Sequence, residues 1–263
     1  MSIQHVHWVD LTEGIRSAIQ TQTGPVLSVQ AVPEGFNSEI TAVLYTRTDK
    51  VFIKGLRSDH PRVWTQRMEA MINPYVTQIS PRLLWHIETD GWNVLAFEHV
   101  DGRHPDYSPG SDDLPKVAAV IRLLGTVKCP ELPLKRAEHR WAPYMDDPSV
   151  LWGDALLHTD FNPLNILING TARIIDWAWP TCGAAWIDPA CFILRLMAAG
   201  HTAREAEAWA RQASSLDPMP ETDIDAFAAA SVKVWVEIAQ ADPQPWKKRL
   251  AEVAEQWQRY RFS

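Results

Sequence analysis

The chain has 263 residues, of which 46% are hydrophobic and 22% are charged, a balance typical of a folded globular protein. Its formal net charge of −7 argues against nucleic acid as a partner, because nucleic-acid-binding surfaces are basic. The three cysteines lack C-x-x-C spacing, which argues against a structural zinc site or a disulfide framework. No apolar run could span a bilayer and no signal peptide is evident. We therefore expect a cytoplasmic protein with no membrane partner, and we favour a monomer.

The first hundred residues are predicted to be rich in β-strands. Alternating and β-branched runs predict strands over residues 26–32, 40–45, 51–54, 82–88 and 93–99. Asp90-Gly91 is typical of a tight turn between the last two strands. Residues 61–72 carry apolar side chains at helical spacing, with Pro61 in the first turn.

Beyond Val100 the pattern changes to helices. Residues 101–113 are rich in Asp, Pro, Gly and Ser and predict a connecting loop. Helices are predicted over residues 114–127, 202–214, 222–240 and 246–260, the second of them opened by a Thr-x-x-Glu capping box. The sequence thus predicts an α+β protein, with a strand-rich N-terminal part over 1–100 and a helical C-terminal part over 101–263.

The strongest local pattern is an Asn-Gly pair at 169–170 between two apolar runs, which predicts a hairpin with a two-residue turn. Such a turn would pair Asn165 with Ile174 and would place Asp176 on the same face of the hairpin. Asn165 and Asp176 would then be diagonal neighbours about 7–8 Å apart. A carboxylate with an amide oxygen suits Mg²⁺ bound together with substrate phosphates.

A further carboxylate, Asp160, lies just upstream of this hairpin in the pattern His158-x-Asp160-x-x-x-x-Asn165. Phosphoryl transfer needs such a group, because one carboxylate must accept or orient the attacking hydroxyl while others hold the metal ion. The pattern alone would be weak evidence for catalysis. Together with the hairpin that follows it, it favours a catalytic role for these residues over a purely structural one.

Two segments carry a resemblance to a known family. Residues 158–165, H-T-D-F-N-P-L-N, followed by I-I-D-W at 174–177, resemble the catalytic loop and metal-binding segment of aminoglycoside phosphotransferases and choline kinases, which are relatives of protein kinases. The resemblance implies a two-lobed, protein-kinase-like fold with Asp160 as the catalytic base and with Asn165 and Asp176 holding Mg²⁺.

The same resemblance implies structural roles for two residues near the catalytic loop. His158 would pack beneath the loop, and Asp188 would brace it. The stretch around Asp188 departs from the family pattern, since Ala184 replaces an aspartate and Pro-Ala replaces Leu-Ala after Asp188.

The resemblance also implies that residues 1–100 form a nucleotide-binding lobe, which takes ATP or GTP as the phosphate donor, and that residues 101–263 form a lobe with the catalytic loop and the acceptor site. Lys54 would contact the α- and β-phosphates, and Glu69 would pair with Lys54 and aim it. Gly35 and Ser38 belong to the candidate phosphate loop, which has a single glycine. The interlobe hinge, whose backbone would bind adenine, corresponds to Phe97, Glu98, His99 and Val100.

The acceptor is expected to be a hydroxyl of a small molecule, with an aminoglycoside or another antibiotic as the first expectation. The alternatives are a metabolite alcohol such as choline, homoserine or a sugar, and a pseudokinase or regulatory module that binds nucleotide without catalysis. A protein kinase is disfavoured because no A-P-E segment follows Asp176.

Two groups of residues are candidates for the acceptor site. Trp177 and Trp179 directly follow Asp176, and at least one of them could face the acceptor. Acidic side chains in the loops could bind a polycation, and they are Asp101, Asp106, Asp112, Asp113, Asp146, Asp147 and Asp154.

Overall fold

The computed structural model describes residues 5–32, 37–216 and 219–263. The chain forms two compact units, Met1–Gly102 with Ile175–Ala178 and Arg103–Ile174 with Trp179–Ser263. The sequence-based division had placed residues 175–178 in the second part, whereas they pack with the first.

The first unit is built on a five-stranded antiparallel sheet in the order β1-β2-β3-β5-β4. Its strands are β1 (Ser28–Ala31), β2 (Ile40–Tyr45), β3 (Lys50–Arg57), β4 (Leu83–Thr89) and β5 (Trp92–Glu98), and its helices are α1 (Glu13–Thr23) and α2 (Val63–Val76). The five predicted strands and the predicted helix are confirmed, with ends that differ by a few residues.

Helix α1 was not predicted. It buries Ile15 and Ile19 against the sheet, where they join Trp92 in one apolar core. Thr12 is its N-cap and accepts a hydrogen bond from the N–H of Ile15. Polar residues and a glycine dilute its apolar pattern, so its helicity depends mainly on this packing.

The hairpin between β4 and β5 has the predicted tight turn. Asp90 and Gly91 have φ angles of 51° and 74°, and Thr89 pairs with Trp92. Positive φ at both central residues is the requirement of a type I′ turn, which explains the Asp-Gly pair.

The second unit is mainly helical. Its helices are α3 (Leu114–Leu124), α4 (Ala137–Trp141), α5 (Ile187–Ala198), α6 (Ala203–Ala213), α7 (Glu221–Ala241) and α8 (Pro245–Arg261). A small sheet has the order β6-β10-β7 and a separate hairpin joins β8 to β9, with β6 (Lys135–Arg136), β7 (Ala155–Leu157), β8 (Ile166–Asn169), β9 (Thr171–Ile174) and β10 (Thr181–Gly183). The predicted capping box of α6 is present at Thr202 and Glu205. Within the described ranges, no helix is both long enough and apolar enough to cross a membrane.

The hairpin of β8 and β9 forms as predicted, but its register differs by one residue. Ile166 pairs with Ile174, whereas the prediction paired Asn165 with Ile174. Gly170 has a φ of 68°, but Asn169 is not among the residues with positive φ. The turn is therefore not type I′, and the expected two-residue register does not form.

This register removes the argument that a shared strand face brings Asn165 and Asp176 together. Asn165 ends a 3-10 turn that precedes β8. Asp176 lies beyond β9 with a φ of 63°. Because neither residue is part of the ladder, strand alternation does not determine where either side chain points. The inference that the two residues share one strand face was therefore wrong.

Candidate functional site

A buried cluster of three charged side chains lies in the first unit. The ammonium of Lys54, on β3, is 2.5 Å from Oε2 of Glu69 on α2 and 3.0 Å from Oδ1 of Asp176. The side chains of Lys54 and Glu69 are 10% and 5% exposed, and that of Asp176 is 24% exposed. One cation and two carboxylates meet here, so the ionised cluster carries one negative charge in excess.

The pKa values of this cluster reflect both burial and charge. Burial by itself would lower the pKa of Lys54, but the charges of Asp176 and Glu69 outweigh burial and raise it. Burial raises the pKa of the Glu69 carboxyl, with Asp176 adding to the rise and Lys54 opposing it. Lys54 is thus firmly cationic and held in place by two partners.

Asp176 connects the cluster to the loop before β2. Its Oδ2 accepts a hydrogen bond of 3.0 Å from Nδ2 of Asn37, and its Oδ1 accepts one from Lys54. The left-handed backbone at Asp176 is uncommon for a residue other than glycine. Such a conformation persists only where the surroundings determine it, as they do at many functional sites.

Two other predicted site residues of the first unit, Ser38 and Trp177, have different environments. Ser38 is 3% exposed, and its hydroxyl accepts a hydrogen bond from Gln66. Trp177 is 2% exposed and donates from Nε1 to Ser80. Both side chains are therefore buried and hydrogen-bonded within the protein, and Gly35 lies outside the described residues.

The predicted hinge begins at the end of β5, where Phe97 is buried. The N–H of Glu98 donates to the carbonyl of Arg82. His99 Nε2 lies 3.1 Å from Oδ1 of Asp101, and the carbonyl of Val100 accepts a hydrogen bond from Gly102. The N–H of Glu98 is therefore already engaged within the protein.

In the second unit, Asp188 holds the loop that follows β7. Its carboxylate accepts hydrogen bonds from the backbone N–H groups of His158 (2.9 Å) and Thr159 (2.8 Å). Asp188 is 1% exposed, and burial raises its pKa to about 6. Thr159 has a φ of 68°, which is strained for a β-branched residue. The two hydrogen bonds from Asp188 stabilise this strained turn.

The same loop carries Asp160, whose two carboxylate oxygens differ. Oδ1 accepts hydrogen bonds from the N–H of Asn162 (3.2 Å) and from Nη2 of Arg195 (2.7 Å). Oδ2 has no hydrogen-bond partner among the described residues, and the side chain is 49% exposed. Asp160 is therefore oriented by one oxygen and accessible through the other, as a group that receives a hydroxyl must be.

Arg195 was missed by the sequence-based prediction. It lies on α5, and its guanidinium is 5.5 Å and 5.7 Å from the ring centroids of Trp235 and Trp246. Its side chain is 11% exposed. The available signal was one arginine within the apolar run over 189–198, which indicates a buried partner of opposite charge.

The side chains of Asn165 and Asp176 fit the hard-ligand chemistry of Mg²⁺. Asn165 donates from Nδ2 to the backbone carbonyl of Asp160 (3.2 Å), so its amide oxygen faces away from that contact. Asp176 belongs to a cluster with an excess negative charge, which a divalent cation would balance. Carboxylate and amide oxygens are ligands that Mg²⁺ accepts. In the described part of the chain, no group of three or more His, Cys, Asp or Glu side chains forms a metal site by itself.

Solved structures with the same fold are enzymes that phosphorylate small molecules. Choline kinase LicA from Streptococcus pneumoniae has a TM-score of 0.62 at 13% identity, over 94% of this chain and 99% of that chain. Spectinomycin phosphotransferase APH(9)-Ia, in complex with ADP and spectinomycin, has a TM-score of 0.58 at 11% identity, over 94% of each chain. Aminoglycoside phosphotransferase APH(4)-Ia has a TM-score of 0.60 at 10% identity, over 92% of this chain and 98% of that chain.

The chain therefore has the protein-kinase-like α+β fold of aminoglycoside phosphotransferases and choline kinases. This finding confirms the predicted fold class and, at the level of fold, the resemblance to that group. No family model matches the sequence. No curated protein matches it either.

Proposed function

We propose that the protein is a small-molecule kinase, which transfers the γ-phosphate of ATP or GTP to a hydroxyl group. The observation that carries this proposal is the buried cluster of Lys54, Glu69 and Asp176. A buried lysine on a strand, held between two carboxylates, is costly to desolvate, and holding nucleotide phosphates gives it a function. Solved structures with this fold contain ADP, AMP and AMP-PNP, which supports a nucleotide as the donor.

Each residue has a role in this proposal. Lys54 binds the phosphates of the nucleotide, and Glu69 orients Lys54. Asp160 orients the acceptor hydroxyl and receives its proton through Oδ2, the oxygen left open by Arg195. Asp176 would hold Mg²⁺, with Asn165 as the second ligand suggested by the sequence. Bound Mg²⁺ would neutralise charge on the transferred phosphate.

The acceptor class is left open between antibiotics and metabolite alcohols. Structures with the same fold include complexes with spectinomycin and with hygromycin B, which keeps an aminoglycoside or a related antibiotic among the candidates. Choline kinase has the same fold at a similar identity, which keeps a metabolite alcohol among them equally.

The test is a panel of hydroxyl compounds offered with Mg-ATP or Mg-GTP. We expect release of ADP or GDP that depends on one acceptor, and mass spectrometry should find that acceptor phosphorylated. Asp160→Asn should lower kcat by about 10²–10⁴-fold while nucleotide still protects the protein in thermal melting. Asp59→Asn, an exposed aspartate in the turn after β3, is the matched control and should retain full activity.

Equal rates for wild type and Asp160→Asn would show that Asp160 is not the base. Saturable nucleotide binding without any phosphorylated acceptor would instead favour the pseudokinase alternative. A protein that binds neither nucleotide would contradict both.

A further inference from the structure

A second arginine, Arg140, contacts the same loop in the second unit. It lies on α4, and its Nη1 donates to Oγ1 of Thr159 at 2.9 Å and to Oγ1 of Thr181. The carbonyl of Trp179 lies 3.5 Å from the same nitrogen. Its guanidinium stacks on the ring of Trp141 at 4.8 Å. All of its hydrogen-bond acceptors are therefore neutral oxygens.

Arg140 has no carboxylate within ion-pair distance among the described residues. This separates it from Arg195, which binds Asp160, and from Arg103, which binds Asp113. Its Nε and Nη2 have no hydrogen-bond partner in the described part of the chain, and the residue is half-buried. An arginine that is largely desolvated without a counter-charge is unfavourable, so its free donors are suited to an anion.

The charges around Arg140 agree with this interpretation. Burial lowers the pKa of Arg140, while the more distant charges of Cys191, Asp188 and Asp160 oppose that fall. The ammonium of Lys135 lies 4.3 Å from the ring centroid of Trp179. Burial lowers the pKa of Lys135, and the charge of Arg140 lowers it further.

Two cations thus converge on Trp179, one at its ring and one at its carbonyl. The indole of Trp179 is 42% exposed, so a bound molecule could pack on it. These two cations would attract an anionic group that packs against Trp179.

This group of residues adjoins Asp160 through the chain itself, because Arg140 binds the side chain of Thr159, the residue immediately before Asp160. We propose that Arg140, with Lys135 and Trp179, forms a subsite for an anionic group, a carboxylate or a phosphate, carried by the acceptor whose hydroxyl Asp160 receives. This inference rests on the proposed function and narrows it to acceptors that carry a negative charge.

The acidic loops do not favour a polycation as the acceptor. Asp113 is 2% exposed and is bound by Arg103. Asp106 accepts hydrogen bonds from Ser108, and Asp147 caps a 3-10 turn. These three aspartates have partners within the protein, so the number of acidic residues in the loops is not by itself evidence for an aminoglycoside site.

The experiment compares D-glycerate with glycerol, a pair of similar size that differs by one carboxylate, using ligand-observed NMR titration of the full chain. Inorganic phosphate serves as a second anion. We expect saturable binding of both anions and no saturable binding of glycerol. Arg140→Met should weaken anion binding on the order of tenfold, the loss expected for one charge-assisted contact, and Arg140→Lys should restore part of it.

Two further variants separate this effect from a loss of structure. Lys135→Met changes an exposed side chain and should weaken anion binding in the same direction. Arg249→Met removes an arginine of α8 that contacts Met197 and Glu252, and it should bind the anions as the wild type does. Nucleotide protection in thermal melting should be the same in all variants.

Three outcomes of the binding titrations would overturn the inference. They are binding of glycerol equal to that of D-glycerate, no saturable binding of either anion, and unchanged binding in Arg140→Met. Competition between AMP-PNP and D-glycerate would also overturn it, by assigning the anion site to the nucleotide. In each case nucleotide binding and transfer to an uncharged or cationic acceptor could still succeed, so failure here is distinct from failure of the proposed function.

Discussion

Glu69 in the first unit and Asp188 in the second are both buried carboxylates, 4% and 1% exposed, and their charges are compensated differently. Glu69 binds the ammonium of Lys54 at 2.5 Å. Asp188 accepts two backbone N–H groups, from His158 and Thr159. Glu69 therefore fixes another side chain, whereas Asp188 fixes the path of the main chain.

The difference matches what each region must do in the proposed reaction. A phosphate-binding lysine must be held in position yet keep its charge, and a carboxylate partner does both. A catalytic loop must keep Asp160 at one place, and backbone hydrogen bonds at the two preceding residues achieve this. Substitutions in the two regions should accordingly have different consequences for stability.

The largest effect is expected from Lys54→Met. Glu69 and Asp176 would then lose the ammonium that they share, and breaking a buried ion pair on one side costs about 3–5 kcal/mol. We expect a fall of that size in the free energy of unfolding, measured by urea denaturation at neutral pH. Glu69→Gln added to Lys54→Met should recover part of the loss, because it removes one of the two carboxylate charges.

Lys50→Met is the matched control for that substitution. Lys50 lies on the same strand and also pairs with an aspartate, Asp101, but its side chain is 41% exposed. Exposed ion pairs contribute little to stability, so Lys50→Met should unfold close to the wild-type midpoint. Similar losses for Lys54→Met and Lys50→Met would show that the buried cluster does not stabilise the first unit as described.

The next effect is the contribution of Asp188 to the pH dependence of the free energy of unfolding. Its pKa in the folded protein is about 6, above its ordinary 3.8, so the folded state binds this proton more tightly than the unfolded state. The stability gained in this way is complete below the ordinary pKa and is lost as pH rises through the folded pKa. From about pH 4 to about pH 7, the wild type should lose about 1–3 kcal/mol relative to Asp188→Asn, which has no proton to release.

Urea denaturation at a series of pH values would measure this difference. Asp59→Asn is again the control and should follow the wild type across the range. A constant difference between wild type and Asp188→Asn would mean that the pKa of Asp188 is the same in the folded and unfolded states, which would contradict the shift.

Features set by neighbouring residues could be predicted from the sequence. The strands of the first unit, the capping box of α6 and the type I′ turn at Asp90-Gly91 all follow from local patterns. The contact between Lys54 and Glu69 was expected from the resemblance, and it is present. A similar Asn-Gly signal gave the wrong register at β8 and β9, because the dipeptide favours a turn type without determining it.

Features that depend on distant residues could not be predicted. Arg195 and Asp160 are separated by 35 positions, and no local pattern relates a helix arginine to a loop aspartate. Arg140 and Thr159 are in the same situation, since their contact joins α4 to the catalytic loop. Trp177 and Trp179 are two positions apart, yet one is buried and the other is exposed. Only the three-dimensional packing distinguishes such cases.

The smallest effect on stability is expected from Arg195→Met, and this sharpens the contrast with Lys54. Arg195 binds Asp160 at 2.7 Å, but the Asp160 side chain is 49% exposed, so water can replace the lost partner. We expect a change of about 1 kcal/mol or less in the free energy of unfolding. We also expect a lower kcat with an unchanged KM for nucleotide, because Asp160 loses its orientation while the Lys54 cluster is untouched. Arg195→Met should have no further effect on kcat in an Asp160→Asn background, and additive losses would show that Arg195 acts on the reaction by a route other than Asp160.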